Sequence, residues 1–247
     1  MNYNWNWGIF WAPAPDGTGN YMDLLISGLG WTLATGLSAW VIALALGCLV
    51  GTVRTTPLKW AVMLGNAYVE LFRNIPLLVQ MFLWYFVLPE LLPNAIGTWL
   101  KQLPNAPFVT AVVCLGFFTS ARVAEQVRAG INSLPHGQGM AGTAMGLTLP
   151  QTYRYVILPQ AFRIVIPPLT SEFLNIIKNS AVALTIGLME LTARARSMQE
   201  FSFQVFEAFT AATLIYLIVN ITVVYLMRFL EKQVAVPGLI AASGGAH

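Results

Sequence analysis

Residues 24–53 read LLISGLGWTLATGLSAWVIALALGCLVGTV, without one charged side chain. The hydrocarbon core of a bilayer is about 30 Å thick and is crossed by about 20 mostly apolar helical residues. This run therefore spans a membrane with length to spare. Four more runs obey the same logic. Asn74 to Pro89 is almost wholly apolar and extends to about residue 92, and Gln102 to Ala121 continues as helix through Arg128. Ile164 to about Met189 is interrupted by Glu172 and Lys178, and Ala208 to Met227 is clean. The fold expected is an all-α integral membrane protein of about five transmembrane helices. Composition agrees: of 247 residues, 57% are hydrophobic and 9% charged, against about 25% charged in soluble domains. So few charges cannot cover a water-exposed surface, which argues against disorder, nucleic-acid binding and ordinary cytosolic catalysis.

Orientation follows from the basic residues, which collect on the inner side of a membrane. With the N-terminus outside, the inner segments hold Arg54, Lys59, Arg73, Arg128, Arg154, Arg163, Arg228 and Lys232. The outer segments hold only Lys101, Arg194 and Arg196, and Arg122 and Lys178 fall within spans. Residues 1–23 lack the basic start and apolar stretch of a cleaved signal peptide. They carry Trp5, Trp7, Trp11 and Tyr21, the composition of an interfacial aromatic belt. Residues 54–73 suit an interfacial helix, broken at Asn74-Ile75-Pro76 because proline lacks an N–H and disfavours helix in its predecessor. Residues 93–107, with Pro93, Pro104 and Pro107, read as an outer loop. Pro237-Gly238 stops the last helix, and a small-residue tail follows. Gly28-Leu-Gly30 reads as a site of close helix packing.

The chain has no G-x-x-x-x-G-K-[ST] phosphate loop and so cannot hydrolyse a nucleotide itself. Cys48 and Cys114 sit in apolar runs, and His136 and His247 are the only histidines. No metal site or resident cofactor is expected. The informative connection is the inner one from Ser133 to Arg163, SLPHGQGMAGTAMGLTLPQTYRYVILPQAFR. Pro135 and Gly137 are expected to end the preceding helix, and Ala141 to Met145 to form a short one broken by Gly146. Thr148 and Gln151 have capping-box spacing, and Pro150 is tolerable in a first turn, so a second helix starts there. Leu158-Pro159 is expected to limit its end. Two short helices around a glycine hinge make a docking element rather than a catalytic one.

This loop resembles the EAA loop of type I ABC-importer permeases. Gly146 takes the glycine position, and after nine intervening residues Val156, Leu158 and Pro159 form the closing element. The EAA positions fall on Met140, Ala141 and Gly142, with methionine in place of the glutamate and glycine in place of the last alanine. Tyr68-Val-Glu70-Leu-Phe-Arg73-Asn-Ile-Pro76 and Glu125-Gln-Val-Arg128-Ala-Gly130-Ile131 are similar to segments of the polar amino acid subgroup. Asn4-Trp5-Asn6-Trp7-Gly8, Pro89-Glu90-Leu91-Leu92-Pro93 and Phe118-Thr119-Ser120-Ala121-Arg122 resemble its glutamate/aspartate branch in Gram-negative bacteria. The resemblance covers about residues 20 to 236. It implies a bacterial inner-membrane permease with a periplasmic N-terminus and cytoplasmic C-terminus. It also divides the chain into a periplasmic or interfacial segment at 1–23, a transmembrane domain at 24–229 with its coupling loop at about 133–163, and a cytoplasmic tail at 230–247. The implied partners are a second permease subunit, either a paralogue or the same chain, two ATP-binding subunits that use the ATP, a periplasmic amino-acid-binding protein and membrane lipid.

An ionisable side chain at the centre of a span costs about 2.5–3.5 kcal/mol on insertion scales, so it calls for an explanation. Two accounts compete. In one, Arg122 pairs with Glu125, and Glu125 with Arg128, at i,i+3 spacing, and Lys178 snorkels to an interface. In the other, Arg122, Glu125 and Lys178 lie along the substrate path. Relatives in the amino acid subgroup often carry an aromatic residue at the Arg122 position, and a guanidinium there suits a cargo with an additional carboxylate. Three functions remain open at this level. They are an importer permease for glutamate/aspartate or another polar amino acid such as glutamine, an ion-coupled secondary transporter, and a membrane scaffold. The coupling-loop pattern favours the first.

Overall fold

The computed structural model describes residues 3–234, apart from 16 and 18, so the readings on Pro237-Gly238 and the tail after Val234 lie outside the described residues. Nine helices are described: α1 (Tyr21–Val53), α2 (Lys59–Asn74), α3 (Leu77–Leu91), α4 (Asn94–Lys101), α5 (Ala106–Asn132), α6 (His136–Ala144), α7 (Leu149–Ile186), α8 (Leu191–Ser202) and α9 (Val205–Val234). Among them α1, α5 and α9 are each long and apolar enough to cross a membrane, and the bent pairs α2 with α3 and α7 with α8 raise the number to as many as five. The second crossing is the one the apolar run describes least well. At 1.5 Å per residue α3 reaches only about 22 Å, short of the roughly 30 Å core.

Helix starts and breaks follow local chemistry. Asn20 and Asp23 cap the start of α1 reciprocally, backbone N–H to side-chain oxygen, at 3.0 and 2.9 Å. At the other end the Thr55 and Thr56 hydroxyls donate to the carbonyls of Thr52 and Val53, each at 2.7 Å. At Pro76 the chain breaks as expected, and the buried Gln80 side chain donates to the freed Ile75 carbonyl at 2.9 Å. Residues 93–107 are not simply a loop. Pro93 precedes α4, where a missing N–H costs nothing, and a Cβ on Gly97 would stand 2.2 Å from the Pro89 carbonyl oxygen. That glycine lets α4 fold back on α3, where Lys101 meets Glu90 at 2.5 Å.

Leu158-Pro159 does not end the loop helix. A π-helical turn, Tyr153–Ile157, precedes it, and α7 runs on through Pro167 and Pro168 toward Ile186. The widened turn makes room for a ring that would otherwise strike the carbonyl four residues back. The same device recurs in α3, where the π turn Leu83–Val87 precedes Leu88-Pro89. Gly137 likewise does not terminate a helix. It lies inside α6, which starts after Pro135.

The chain groups into two compact units, Met1–Ile42 with Ile75–Gly116 and Asn175–Thr222, and Ala43–Asn74 with Phe117–Leu174 and Val223–His247. In the first unit Tyr21, Leu24 and Leu25 of α1 pack with Leu191, Ala195 and Met198 of α8 and with Ala208 and Ala212 of α9. Glu190 caps α8 there. Its fully buried carboxylate accepts from the Thr192 and Ala193 N–H groups at 2.9 and 2.8 Å and from the Tyr216 hydroxyl at 2.9 Å. Of the Gly28-Leu-Gly30 pair, Gly28 is in close contact, with its missing Cβ 2.9 Å from Leu191 Cα, while nothing lies within 4 Å of Gly30. In the second unit Gly47 and Gly51, a G-x-x-x-G pair, lie against α5. A Cβ at Gly47 would fall 2.5 Å from Val123 Cβ and 2.9 Å from the Ser120 carbonyl, and one at Gly51 2.7 Å from the Ala124 carbonyl. Gly47→Val should therefore overpack this contact and cost about 1–3 kcal/mol, read as a lowered melting midpoint of the purified complex. Gly30→Ala, with open space around it, should leave that midpoint unchanged.

Candidate functional site

Of the ionisable side chains considered within spans, Arg122, Glu125 and Glu172 fall in the second unit together with residues 133–163, and Lys178 falls in the first. The loop is built from α6 and the first turns of α7. Gly146 adopts φ +80° and closes α6 in a Schellman turn, with its own N–H on the Thr143 carbonyl at 2.9 Å and the Leu147 N–H on the Gly142 carbonyl at 3.1 Å. Thr148 and Gln151 form the expected capping box at the start of α7. Gly142 is buried against Thr152, and a Cβ there would sit 2.7 Å from Thr152 Cγ2. Glycine rather than alanine thus permits α6 and α7 to touch. Met140, Met145 and Leu149 are 67%, 71% and 47% exposed, with Ala141 and Pro159 also exposed and Val156 and Leu158 half-buried. The Tyr153 hydroxyl ties the element to the end of α1 by donating to the Thr55 carbonyl at 2.7 Å, and the Gln160 amide joins α7 to α6 by donating to Gln138 at 3.2 Å. Between them lies a pocket of about 210 Å³ lined by Thr55, Leu134, Pro135, Gln138 and Tyr153 among others.

Next to Thr55, Arg54 makes the buried charge pair of the unit. Its side chain is 4% exposed and lies 2.8 Å from Glu125 of α5, with Asn66 of α2 accepting from Nε at 2.8 Å. Gly65 leaves room for the arginine stem, because a Cβ there would meet Arg54 Cγ at 2.6 Å. Arg73 approaches the same Glu125 oxygen at 3.4 Å. Tyr68 and Phe72 of α2 stack around Phe117, and the Tyr68 hydroxyl shares a 2.5 Å hydrogen bond with Ser120.

The i,i+3 pairing of Glu125 with Arg122 and Arg128 is therefore corrected. Glu125 instead faces cations from α2 and the end of α1, where a buried guanidinium has greater need of it than the more accessible Arg122 and Arg128 do. Arg122 turns to Glu172 of α7 at 3.6 Å, and its guanidinium lies 5.5 Å from the Phe118 ring. That ion pair is loose. It is too long for a hydrogen bond, and the Glu172 Oε2 atom has no hydrogen-bond partner. Arg122 is 44% exposed on its side chain and Glu172 only 11%. Lys178 is exposed and belongs to the first unit. Arg54 escaped sequence reading as a site residue because it stands at a span end among other inner cations. The one signal was its distance of a single turn from a glycine-rich helix end. Among the described residues no His, Cys, Asp or Glu cluster is placed to hold a metal ion.

The chain belongs to the family described as binding-protein-dependent transport system inner membrane component, whose model matches residues 43–236. It is a multi-pass inner-membrane permease subunit of an ATP-driven importer, not an enzyme, with ATP hydrolysis residing in separate subunits. It is 50% identical over 241 residues to the glutamate/aspartate import permease protein GltJ of Escherichia coli, covering 96% of this chain and 98% of that protein. It is 36% identical to the probable glutamine ABC transporter permease protein GlnM of Bacillus subtilis, covering 86% and 92%. A crystal structure of an amino acid ABC transporter with histidines superposes with TM-score 0.73 at 32% identity, over 86% of this chain and 95% of the other. The methionine ABC transporter MetNI in an inward-facing conformation shares the fold, with TM-score 0.69 at 20% identity, over 87% and 98%.

The two ion pairs should separate by experiment. Glu125→Gln leaves the buried Arg54 without its counter-charge and should cost on the order of 3 kcal/mol, seen as a lower melting midpoint or poor assembly. Arg122→Gln breaks a loose and partly exposed pair and should cost under about 1 kcal/mol.

Proposed function

We propose that this permease carries glutamate and aspartate from the periplasm to the cytoplasm. In this reading it acts with a second permease subunit, two ATP-binding subunits and a periplasmic amino-acid-binding protein. Residues 1–23 lie at the periplasmic surface, residues 24–229 form the transmembrane domain, and residues 230–247 lie in the cytoplasm. The excess of inner Lys and Arg supports that orientation. The observation that carries the cargo is Arg122, a partly exposed guanidinium that has Glu172 standing off at 3.6 Å as its close carboxylate among the described residues. Such a group has bidentate capacity to spare for the side-chain carboxylate of an acidic amino acid. Likeness to the Escherichia coli glutamate/aspartate permease supports the same reading. Glu125 is then a structural counter-ion, and Lys178 has no assigned part.

Residues 133–163 are the ATPase-docking element in this reading. Met140, Met145 and Leu149 offer an apolar contact surface, so the methionine in place of a glutamate substitutes packing for a charge contact. Closure of the ATPases pushes on α6 and the start of α7. Because α7 continues from the loop into its span, the push reaches Glu172 without crossing a helix break.

Two measurements test these assignments. In the reconstituted complex, Arg122→Gln should lower glutamate uptake by about tenfold, the order of one charge-assisted hydrogen bond, and leave glutamine uptake and ATP hydrolysis little changed. Arg122→Lys should restore only part of the loss. Equal loss for both cargoes, or none, would defeat the pathway role. At the hinge, Gly146→Asn should retain transport and Gly146→Val should uncouple ATP hydrolysis from it. Asparagine tolerates φ above zero and a β-branched residue does not.

A further inference from the structure

The N-terminal segment folds as a cap against the start of α9. Among residues 3–15 there is no charged side chain. The segment is pinned to the start of α9 from beneath. The fully buried Glu207 carboxylate accepts from the Asn6 N–H at 2.7 Å and from the Tyr3 hydroxyl. Rings then stack outward from this pin. Tyr3 meets Phe206 edge-on at 4.7 Å, Trp5 lies 5.6 Å from Phe206, and Trp7 stacks on Trp5 at 5.8 Å with planes 7° apart. On the other side the 3-10 turn Trp7–Trp11 buries Phe10 in the core of the first unit. The Glu207 carboxylate with its two donors thus lies beneath, and the indoles lie outermost. Trp5, Trp7 and Trp11 are 57%, 51% and 72% exposed. Three residues before Phe206 in the chain, Phe203 holds φ +58°, a left-handed conformation unusual for an aromatic residue, with 80% of its surface exposed.

We propose that this aromatic cap lies in the interfacial layer of the membrane, with Trp5, Trp7 and Trp11 at the lipid headgroup level, and that Glu207 fixes its depth. The lipid surface is selected over a protein partner by continuity and by charge. Phe206 opens the apolar length of α9, where Leu217, Ile218 and Ile221 stay exposed along a helix fit to cross a membrane. The cap prolongs that surface beyond the end of the helix. An indole has an apolar body and one N–H donor, which favours the boundary between hydrocarbon and water. A protein docking site would instead be expected to carry a charged or hydrogen-bonding rim, and this segment offers no charge.

The test uses the whole importer complex in vesicles of phosphatidylcholine brominated either near the headgroup or near the chain end. The tryptophan emission of wild type minus that of W5F/W7F/W11F isolates the three indoles. Bromine near the headgroup should quench that difference at least about twofold more than bromine near the chain end. Adding the substrate-binding protein should not change it. Trp11→Phe alone, the mildest change, should remove part of the same component, which guards against misfolding of the triple variant. Glu207→Ala should bring the two quenching efficiencies close to equality, because the cap no longer has one depth. Absence of quenching by either lipid, or loss of quenching when the binding protein is added, would overturn the proposal in favour of a protein-covered face. An unchanged depth ratio in Glu207→Ala would overturn the role of the pin.

Discussion

Arg54 is the point on which the second unit is assembled. A guanidinium with only 4% of its side chain exposed is costly in an apolar setting unless charge and hydrogen bonds surround it. Meeting that demand draws three helices together. Glu125 comes from α5, Asn66 from α2, and the arginine itself extends the end of α1. The surrounding choices follow from the same contact. Gly65 is small because the arginine stem lies against it, and Gly47 and Gly51 are small because α1 must approach α5 closely enough for Glu125 to reach. Thr55, the next residue, takes the Tyr153 hydroxyl. The charge pair and the inner loop therefore share one backbone segment.

Proline sets the second constraint. In lipid every backbone donor and acceptor must find a partner within the protein, so a residue that lacks an N–H has to be accommodated. Two solutions appear. At Pro76 the helix stops and a side-chain amide satisfies the freed carbonyl. At Pro89 and Pro159 the helix continues, and the turn before each widens to π geometry. Both widened turns are rich in aromatic and β-branched residues, Leu-Trp-Tyr-Phe-Val and Tyr-Arg-Tyr-Val-Ile, and each is followed by Leu-Pro.

What the sequence made legible was whatever depends on near neighbours. The apolar runs, the Thr148–Gln151 cap and the break at Gly146 are local patterns, and they stand in the structure where the pattern put them. Prolines were harder, because the same residue ends a helix at 76 and is absorbed at 159, and only the turn before it distinguishes the two. The charged side chains were hardest. At i,i+3 spacing Glu125 has two cations on its own helix, yet its partners come from residues 54 and 73. Local spacing lists what is possible, and burial of a remote guanidinium decides. The Glu207 anchor was missed for the same reason, since it is an acid in apolar company whose donors, Tyr3 and Asn6, come from far along the chain, and Glu190 adds the remote Tyr216 hydroxyl to the local N–H groups that it caps.

The π turn at Tyr153–Ile157 also sets a phase. Each residue of an α-helix advances the side-chain direction by about 100°, and a π turn holds an extra residue without lengthening the helix in proportion. The face that α7 shows at its first turn is thereby decoupled from the face it shows farther along, where Glu172 meets Arg122. Insertions and deletions in this stretch are consequently not equivalent to those in an ordinary loop. Losing one residue from it would turn Glu172 by about a quarter of a circle relative to α6 and the first turn of α7, so the length of this short stretch matters to the Arg122 pair as much as its composition.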